Sequence, residues 1–320
     1  MITSMPDLGP AVAAILERCL AVSSGEEVVV VVDAGTRTIG EAITDGARSR
    51  GAEAVLMTMA ERQEHGNEPP RSVAAALKAA DVFVAPTTKS LSHTRARKAA
   101  SEAGARGATM PGATEDMLAR VLAVDFDRMA SRSRAVAVLL TDADSAHVTC
   151  PRGSDLHLDL SAREGWADDG DLTADGAFGN LPCGEGFISP RGGDGTVVVS
   201  SLAGLGISDE PAVLQVEGGR ITGARGGLGP VFLERLAAHG DPGRNLAELG
   251  VGTNDRAILT GSMLEDEKML GTVHVAFGAS AGIGGTVSVP IHLDAVVLEA
   301  TLEIGGRRVL DAGTYVLDDS

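Results

Sequence analysis

The run EEVVVVVDAG, residues 26–35, decides the fold. Its unbroken β-branched character describes a strand buried on both faces, as in a parallel sheet covered by helices. It ends in Asp33 and Gly35, the turn chemistry of a strand handing over to a helix. Upstream, GPAVAAILERCLAV (9–22) carries apolar residues at helical spacing. Downstream, TIGEAITDGARSRG (38–51) reads as a helix stopped by Gly51, and AEAVLMTMA (52–60) as a second strand. PPRSVAAALKAA (69–80) is a helix opening on proline, DVFVAPTT (81–88) a third strand, and SHTRARKAASEAGAR (92–106) a further helix. GATMPGAT (107–114) leads out. Alternation of this kind predicts an α/β domain with a doubly wound parallel sheet. The first βα turn, DAGTRTIGEA, lacks a full GxGxxG and gives no support to dinucleotide binding.

From about residue 135 the rhythm changes. RAVAVLLTDADSAHVTC (134–150), DLHLDLSA (155–162), GTVVVSSLAGLG (195–206), AVLQVEGGRITGA (212–224), RAILTGS (256–262), GTVHVAFG (271–278) and AVVLEATLEIGGRRVLDAGTYV (295–316) are strand-like pieces. Gly, Asp and Pro separate them, and only GPVFLERLAAHG (229–240) is plainly helical. The expected organisation is an α/β Rossmann-like domain over 1–132 and a β-rich α+β metal-binding domain over 133–320.

Composition narrows the function. At 320 residues the chain is long for one core. Aromatic residues are only 2%, so the cores are aliphatic. A net charge of −17 and a pI near 4.8 make nucleic acid a poor partner. No apolar run reaches the roughly 20 residues a membrane-spanning helix needs. Cys19, Cys150 and Cys183 form no paired spacing, which points to a reducing cytoplasm.

Chemistry concentrates late. His292 and Asp294, two apart on a predicted strand, share a face, and His274 sits on a separate apolar strand. Two imidazoles and a carboxylate suit a divalent metal, zinc, manganese or iron. NLPCGEGFISP (180–190) places Glu185 in a Gly/Pro-bounded loop, and NLAELGVGTN (245–254) places Glu248 at the end of a short helix. Glu267 precedes His274 by seven residues. Cys183, His147, His157 and His65 read as structural or solvent-facing.

Four ordered stretches, LPCGEGFISP, AELGVGTN, EDEKMLGTVHVAFG and VPIHLDAVV, resemble the C-terminal half of the aminopeptidase T/aminopeptidase S metallopeptidase superfamily. That superfamily also includes 2,5-dihydroxypyridine 5,6-dioxygenase. The resemblance implies metal ligation by Glu185, Glu248, His274, His292 and Asp294, with Glu267 a further ligand or the general base. The first expectation is therefore a metal-dependent hydrolase of a small amide or peptide-like bond, using one or two Zn, Mn or Co ions. The alternative is a ring-cleaving dioxygenase with one Fe(II) on His274, His292 and Asp294. In that reading Glu185 contacts substrate and His93 of SLSHT faces the site as an acid/base. The peptidases carry a tyrosine seven residues after the first histidine, where this chain has Ala281. Losing such an oxyanion donor costs about 3 kcal/mol of transition-state stabilisation. The expected partners are a small molecule or short peptide and, by resemblance, further copies of the chain.

Overall fold

The computed structural model describes residues 6–318. Two compact units emerge: the first runs to Val124 and takes back Gly170–Cys183, and the second comprises Asp125–Asp169 and everything from Gly184 onward. The sequence reading puts the change at 132/133. The difference lies in one helix whose main packing partners are the second unit's strands.

The first unit is built on β1 (Glu27–Val32), β2 (Glu53–Thr58), β3 (Val82–Ala85) and β4 (Arg106–Thr109). With β8 (Phe178–Asn180) they make a parallel sheet in the order β2-β1-β3-β4-β8. The helices are α1 (Gly9–Ala13, continued by a π-helical segment Ala14–Cys19), α2 (Arg37–Ser49), α3 (Arg71–Ala79), α4 (Arg95–Glu102) and α5 (Glu115–Val121). Val28 to Val32 are all buried, as the valine run requires. GATMPGAT was expected to lead out of the domain, but its first residues belong to β4, whose four residues are all buried. At the switch point between β1 and β3, where α/β sheets commonly bind ligands, buried Asp33 ties the strand ends together. It accepts from Thr88 N (2.7 Å), Thr88 Oγ1 (2.8 Å) and Gly35 N (3.2 Å).

The second unit opens with α6 (Phe126–Asp142). RAVAVLL was expected as a strand; local A-V-A-V alternation suggested it. Over seventeen residues the helical spacing prevails: Met129, Ala130, Ser133, Val136, Ala137 and Leu140 are buried, and the Asp125 side chain caps Arg128 N. A thirteen-stranded sheet follows. Its strands are β5 (Ser145–Thr149), β6 (Asp155–Asp159), β7 (Gly165–Asp168), β9 (Glu185–Ile188), β10 (Gly192–Leu202), β11 (Gly206–Glu217) and β12 (Arg220–Arg225). The rest are β13 (Leu246–Gly252), β14 (Val273–Gly278), β15 (His292–Val297), β16 (Thr301–Ile304), β17 (Arg307–Asp311) and β18 (Thr314–Tyr315). The main path runs β18-β17-β16-β5-β6-β10-β15-β14-β13-β9-β7, with β11 and β12 branching from β10. Helix α7 (Gly229–Ala237) and two single turns, α8 (Gly240–Gly243) and α9 (Met263–Asp266), complete the unit. RAILTGS, expected as a strand, is irregular. Its backbone amides at Ile258, Thr260 and Gly261 bond the Glu265 and Asp266 carboxylates instead of a neighbouring strand.

No helix among the described residues is long and apolar enough to cross a membrane. The architecture is the expected one, a parallel α/β domain followed by a β-rich domain.

Candidate metal centre

The block β15-β14-β13-β9-β7 mounts the acidic and imidazole groups. His274 stands on β14 opposite Gly250 of β13. A Cβ on Gly250 would come within 2.0 Å of His274 Nε2, so the imidazole lies over a glycine because nothing larger fits beneath it. His292 and Asp294 lie two apart on β15, on one face. Glu185 and Glu248 correct the sequence expectation. Glu185 opens β9 instead of sitting in a loop, and Glu248 lies inside β13, not at a helix end. LGVG offers no helical stripe, and β13 is paired on both edges, by β14 and β9, with all seven residues buried.

These strands bring all five candidate ligands together. His274 Nε2 lies 3.2 Å from Glu185 Oε2 and 3.5 Å from Glu248 Oε1. His292 Nε2 lies 3.2 Å from Glu248 Oε2 and 3.4 Å from Asp294 Oδ1. Two groups have ligand atoms within 4.8 Å of one another: Glu185, Glu248 and His274, and Glu248, His292 and Asp294. The histidines thus meet through Glu248.

Three features fit a cation. The His292 Nδ1–H donates to the Ala279 carbonyl at 2.7 Å, which leaves Nε2 for a metal, the usual arrangement of a ligating histidine. Glu185 Oε2 and His274 Nδ1 are buried without a hydrogen-bond partner, and a single Nε2–H of His274 cannot serve Glu185 and Glu248 together. Imidazole nitrogens with carboxylate oxygens are the donors that zinc, iron and manganese take.

Electrostatics agree. Burial works against charge on His274, yet Glu248 and Glu185 push it up to about 9. His292 is likewise raised: burial opposes, while Asp294 and Glu248 prevail. Burial would raise Glu248, but the two imidazoles hold it well below the usual carboxylate range. A cluster that keeps protons on its histidines is one where a divalent ion would displace them.

Two residues that the sequence reading did not single out complete the site. Lys268, 1% exposed, directs its ammonium at Glu185 Oε1 (2.5 Å), Glu267 Oε1 (3.0 Å) and Asp168 Oδ2 (3.3 Å). Asp168 ends β7 directly opposite Glu185. Burial pushes Glu267 up to about 7 and Asp168 to about 6, despite Lys268 beside both. Lys268 is the only cation in EDEKMLG, among acids that make it look like a solvated charge run; Asp168, from a four-residue strand, left no pattern to find.

His93, exposed between buried Ser92 and the N-cap Thr94 in the turn before α4, belongs to the first unit, whereas the candidate ligands all belong to the second. His147 and His157 face each other across β5 and β6, rings stacked at 3.9 Å, with Asp155 Oδ1 at 2.8 and 3.5 Å. They form a further potential cation group on the outer face of the sheet.

Comparison with known proteins follows the same lines. The family described as NicX, 2,5-dihydroxypyridine 5,6-dioxygenase, matches residues 7–317. No curated protein matches by sequence. Among solved structures, 2,5-dihydroxypyridine dioxygenase from Pseudomonas putida KT2440 superposes with a TM-score of 0.83 at 22% identity, covering 97% of both chains. Wild-type AmpT from Thermus thermophilus superposes with a TM-score of 0.70 at 19% identity, covering 96% of this chain and 98% of its own. At such identities the structural matches speak for the fold alone.

Proposed function

We propose, from the premise that this chain belongs to the NicX family of 2,5-dihydroxypyridine 5,6-dioxygenases, that it opens a hydroxylated N-heteroaromatic ring with dioxygen at one ferrous ion. The observation that carries the one-ion reading is Lys268. A dinuclear hydrolase needs its carboxylates to neutralise two divalent ions. Here a fixed ammonium already holds Glu185 Oε1 and lies within ion-pair reach of Glu267 and Asp168. Ala281, where the peptidase resemblance implies tyrosine, supports the same reading.

His274, His292 and Asp294 would hold the iron, with Glu248 facing both histidines. Bound there, Fe(II) supplies the one-electron chemistry that lets dioxygen react with an aromatic ring. The chain's own groups do the rest. The Ala279 carbonyl keeps His292 turned so that Nε2 faces the site. Burial of Glu185, Glu248 and His274 keeps bulk water from the reacting centre. Glu267, a carboxylate held 3.0 Å from Lys268 Nζ, would take a ring hydroxyl proton. Both oxygen atoms end in the opened ring, so no external reductant is consumed.

The hydrolase reading keeps one observation in its favour. Glu248 belongs to both three-residue groups, as a carboxylate bridging two ions would. The test is to strip the metal, reload with Fe(II) without oxygen, and add 2,5-dihydroxypyridine with dioxygen. One iron per chain, and one dioxygen consumed per ring lost, is the expected result. Two Zn, Mn or Co per chain, with amine release from a peptide amide and no oxygen uptake, would overturn it.

A further inference from the structure

The sheet face that carries the ligand candidates continues outward as aromatic surface. Side chains on β9 alternate. Gly186 and Ile188 turn toward α6: a Cβ on Gly186 would meet the Val136 side chain at 2.7 Å, and Ile188 is fully buried. Glu185 and Phe187 take the opposite face, and Ser189 continues it. On β7, Asp168 and Trp166 stand opposite Glu185 and Phe187. One cross-strand row therefore reads His274, Gly250, Phe187, Trp166. The His274 ring covers Gly250, so Phe187 is the next side chain along the row and Trp166 the one after, at roughly 4.8 Å per strand.

Three details make this row unusual. Phe187 and Trp166 are paired, ring centroids 6.3 Å apart and tilted by 53°, in a chain with one Trp, one Tyr and six Phe. Trp166 is left 41% exposed beside a charged cluster. Ser189 is 2% exposed, and its Oγ has no hydrogen-bond partner. A turn folds over the same face: Ser280 N and Ala281 N both donate to the Val287 carbonyl. A Cβ on Gly285 would lie 2.5 Å from Ser189 Oγ, and one on Gly284 would lie 3.9 Å from Trp166 Nε1. Arg163 Nη1 pins that turn by donating to the Gly284 carbonyl at 2.9 Å.

We propose that Phe187, Trp166 and Ser189 are the substrate shelf of the metal centre. A flat hydroxylated heteroaromatic ring lies against Phe187 and Trp166, its edge toward His274, and Ser189 Oγ bonds a ring hydroxyl or ring nitrogen. Aromatic stacking supplies the area, and the unpartnered hydroxyl fixes which way the ring faces. The shelf, as the seat of a hydroxylated heteroaromatic ring, rests on the dioxygenase reading above.

The chain's single tryptophan reports directly on the shelf. Intrinsic fluorescence is followed while 2,5-dihydroxypyridine is titrated into the iron-loaded protein without oxygen, with free tryptophan correcting for absorbance; calorimetry measures affinity independently. Saturable quenching is expected. Trp166→Ala and Phe187→Ala should each weaken binding on the order of tenfold, and Ser189→Ala several-fold, with iron content unchanged. Trp166→Phe, which keeps a ring, should restore affinity to within about threefold of wild type and so separate stacking from damage to β7. If the wild type binds and consumes the compound but Trp166 fluorescence does not respond and Trp166→Ala binds equally well, the shelf is overturned and the dioxygenase reading stands. If no hydroxylated pyridine binds or reacts at all, that reading falls and the shelf with it.

Discussion

At the scale of single residues, the candidate centre is defined as much by what neutralises its charge as by its candidate ligands. Lys268 is a buried cation with three carboxylate partners, and removing one side of such a group leaves uncompensated charge in the interior. Lys268→Met should lower the stability of the metal-free protein by about 3–5 kcal/mol. It should also raise the Mn or Zn bound per chain from one toward two, because Glu185, Glu267 and Asp168 become available. Unchanged metal content together with an unchanged melting temperature would contradict the counter-ion role. Gly250 offers a second test. A methyl group there would sit 2.0 Å from His274 Nε2, so Gly250→Ala must push the imidazole off its place. Metal affinity should fall at least tenfold while the far-ultraviolet circular dichroism stays that of the wild type. Much of this was readable in advance: His274, His292 and Asp294 declared themselves by sitting as polar letters in apolar strands. Lys268 did not, because a lysine among acids in sequence looks like any solvated charge run.

Elements were legible where their residue pattern fitted a single period. β1 announced itself through five valines, and much of β10, β11 and β14 through strand-like runs punctuated by glycine. α6 was misread because half of it alternates; its identity depends on burial against β7 and β9. That packing has no slack. A Cβ on Gly186 would meet Val136 at 2.7 Å and the Ser133 carbonyl at 2.8 Å, and one on Gly165 the Ala137 carbonyl at 2.4 Å. Gly186→Ala should therefore cost about 1–3 kcal/mol as an overpacked contact, read from the urea midpoint. A loss within a few tenths of a kcal/mol would mean that α6 can retreat from β9. β7, β8 and β9 were missed for a common reason: strands of three or four residues carry too little pattern, and long-range pairing alone makes them strands.

On the scale of the whole molecule, the chain leaves its first unit at Val124, returns for Gly170–Cys183, and leaves again. Composition could not reveal that return. The segment GDLTADGAFGNLPC is rich in turn letters, with three Gly, two Asp, one Asn and one Pro, and β8 exists only because β4 offers it an edge. The broad order, parallel domain first and β-rich domain second, was legible because buried valine runs and glycine-punctuated strands are statistics of many residues at once. Metal bound per chain is likewise a property of the whole molecule, and there His147 and His157 enter. Two stacked imidazoles on an outer sheet face, with Asp155 beside them, make a candidate chelating pair for a divalent ion such as immobilised nickel. The untagged protein should be retained on a nickel column and released by imidazole, and the double variant His147→Ala/His157→Ala should pass through. Retention of that kind would give the protein its own purification handle, and any batch prepared that way should be counted for metal only after that pair has been stripped or mutated away.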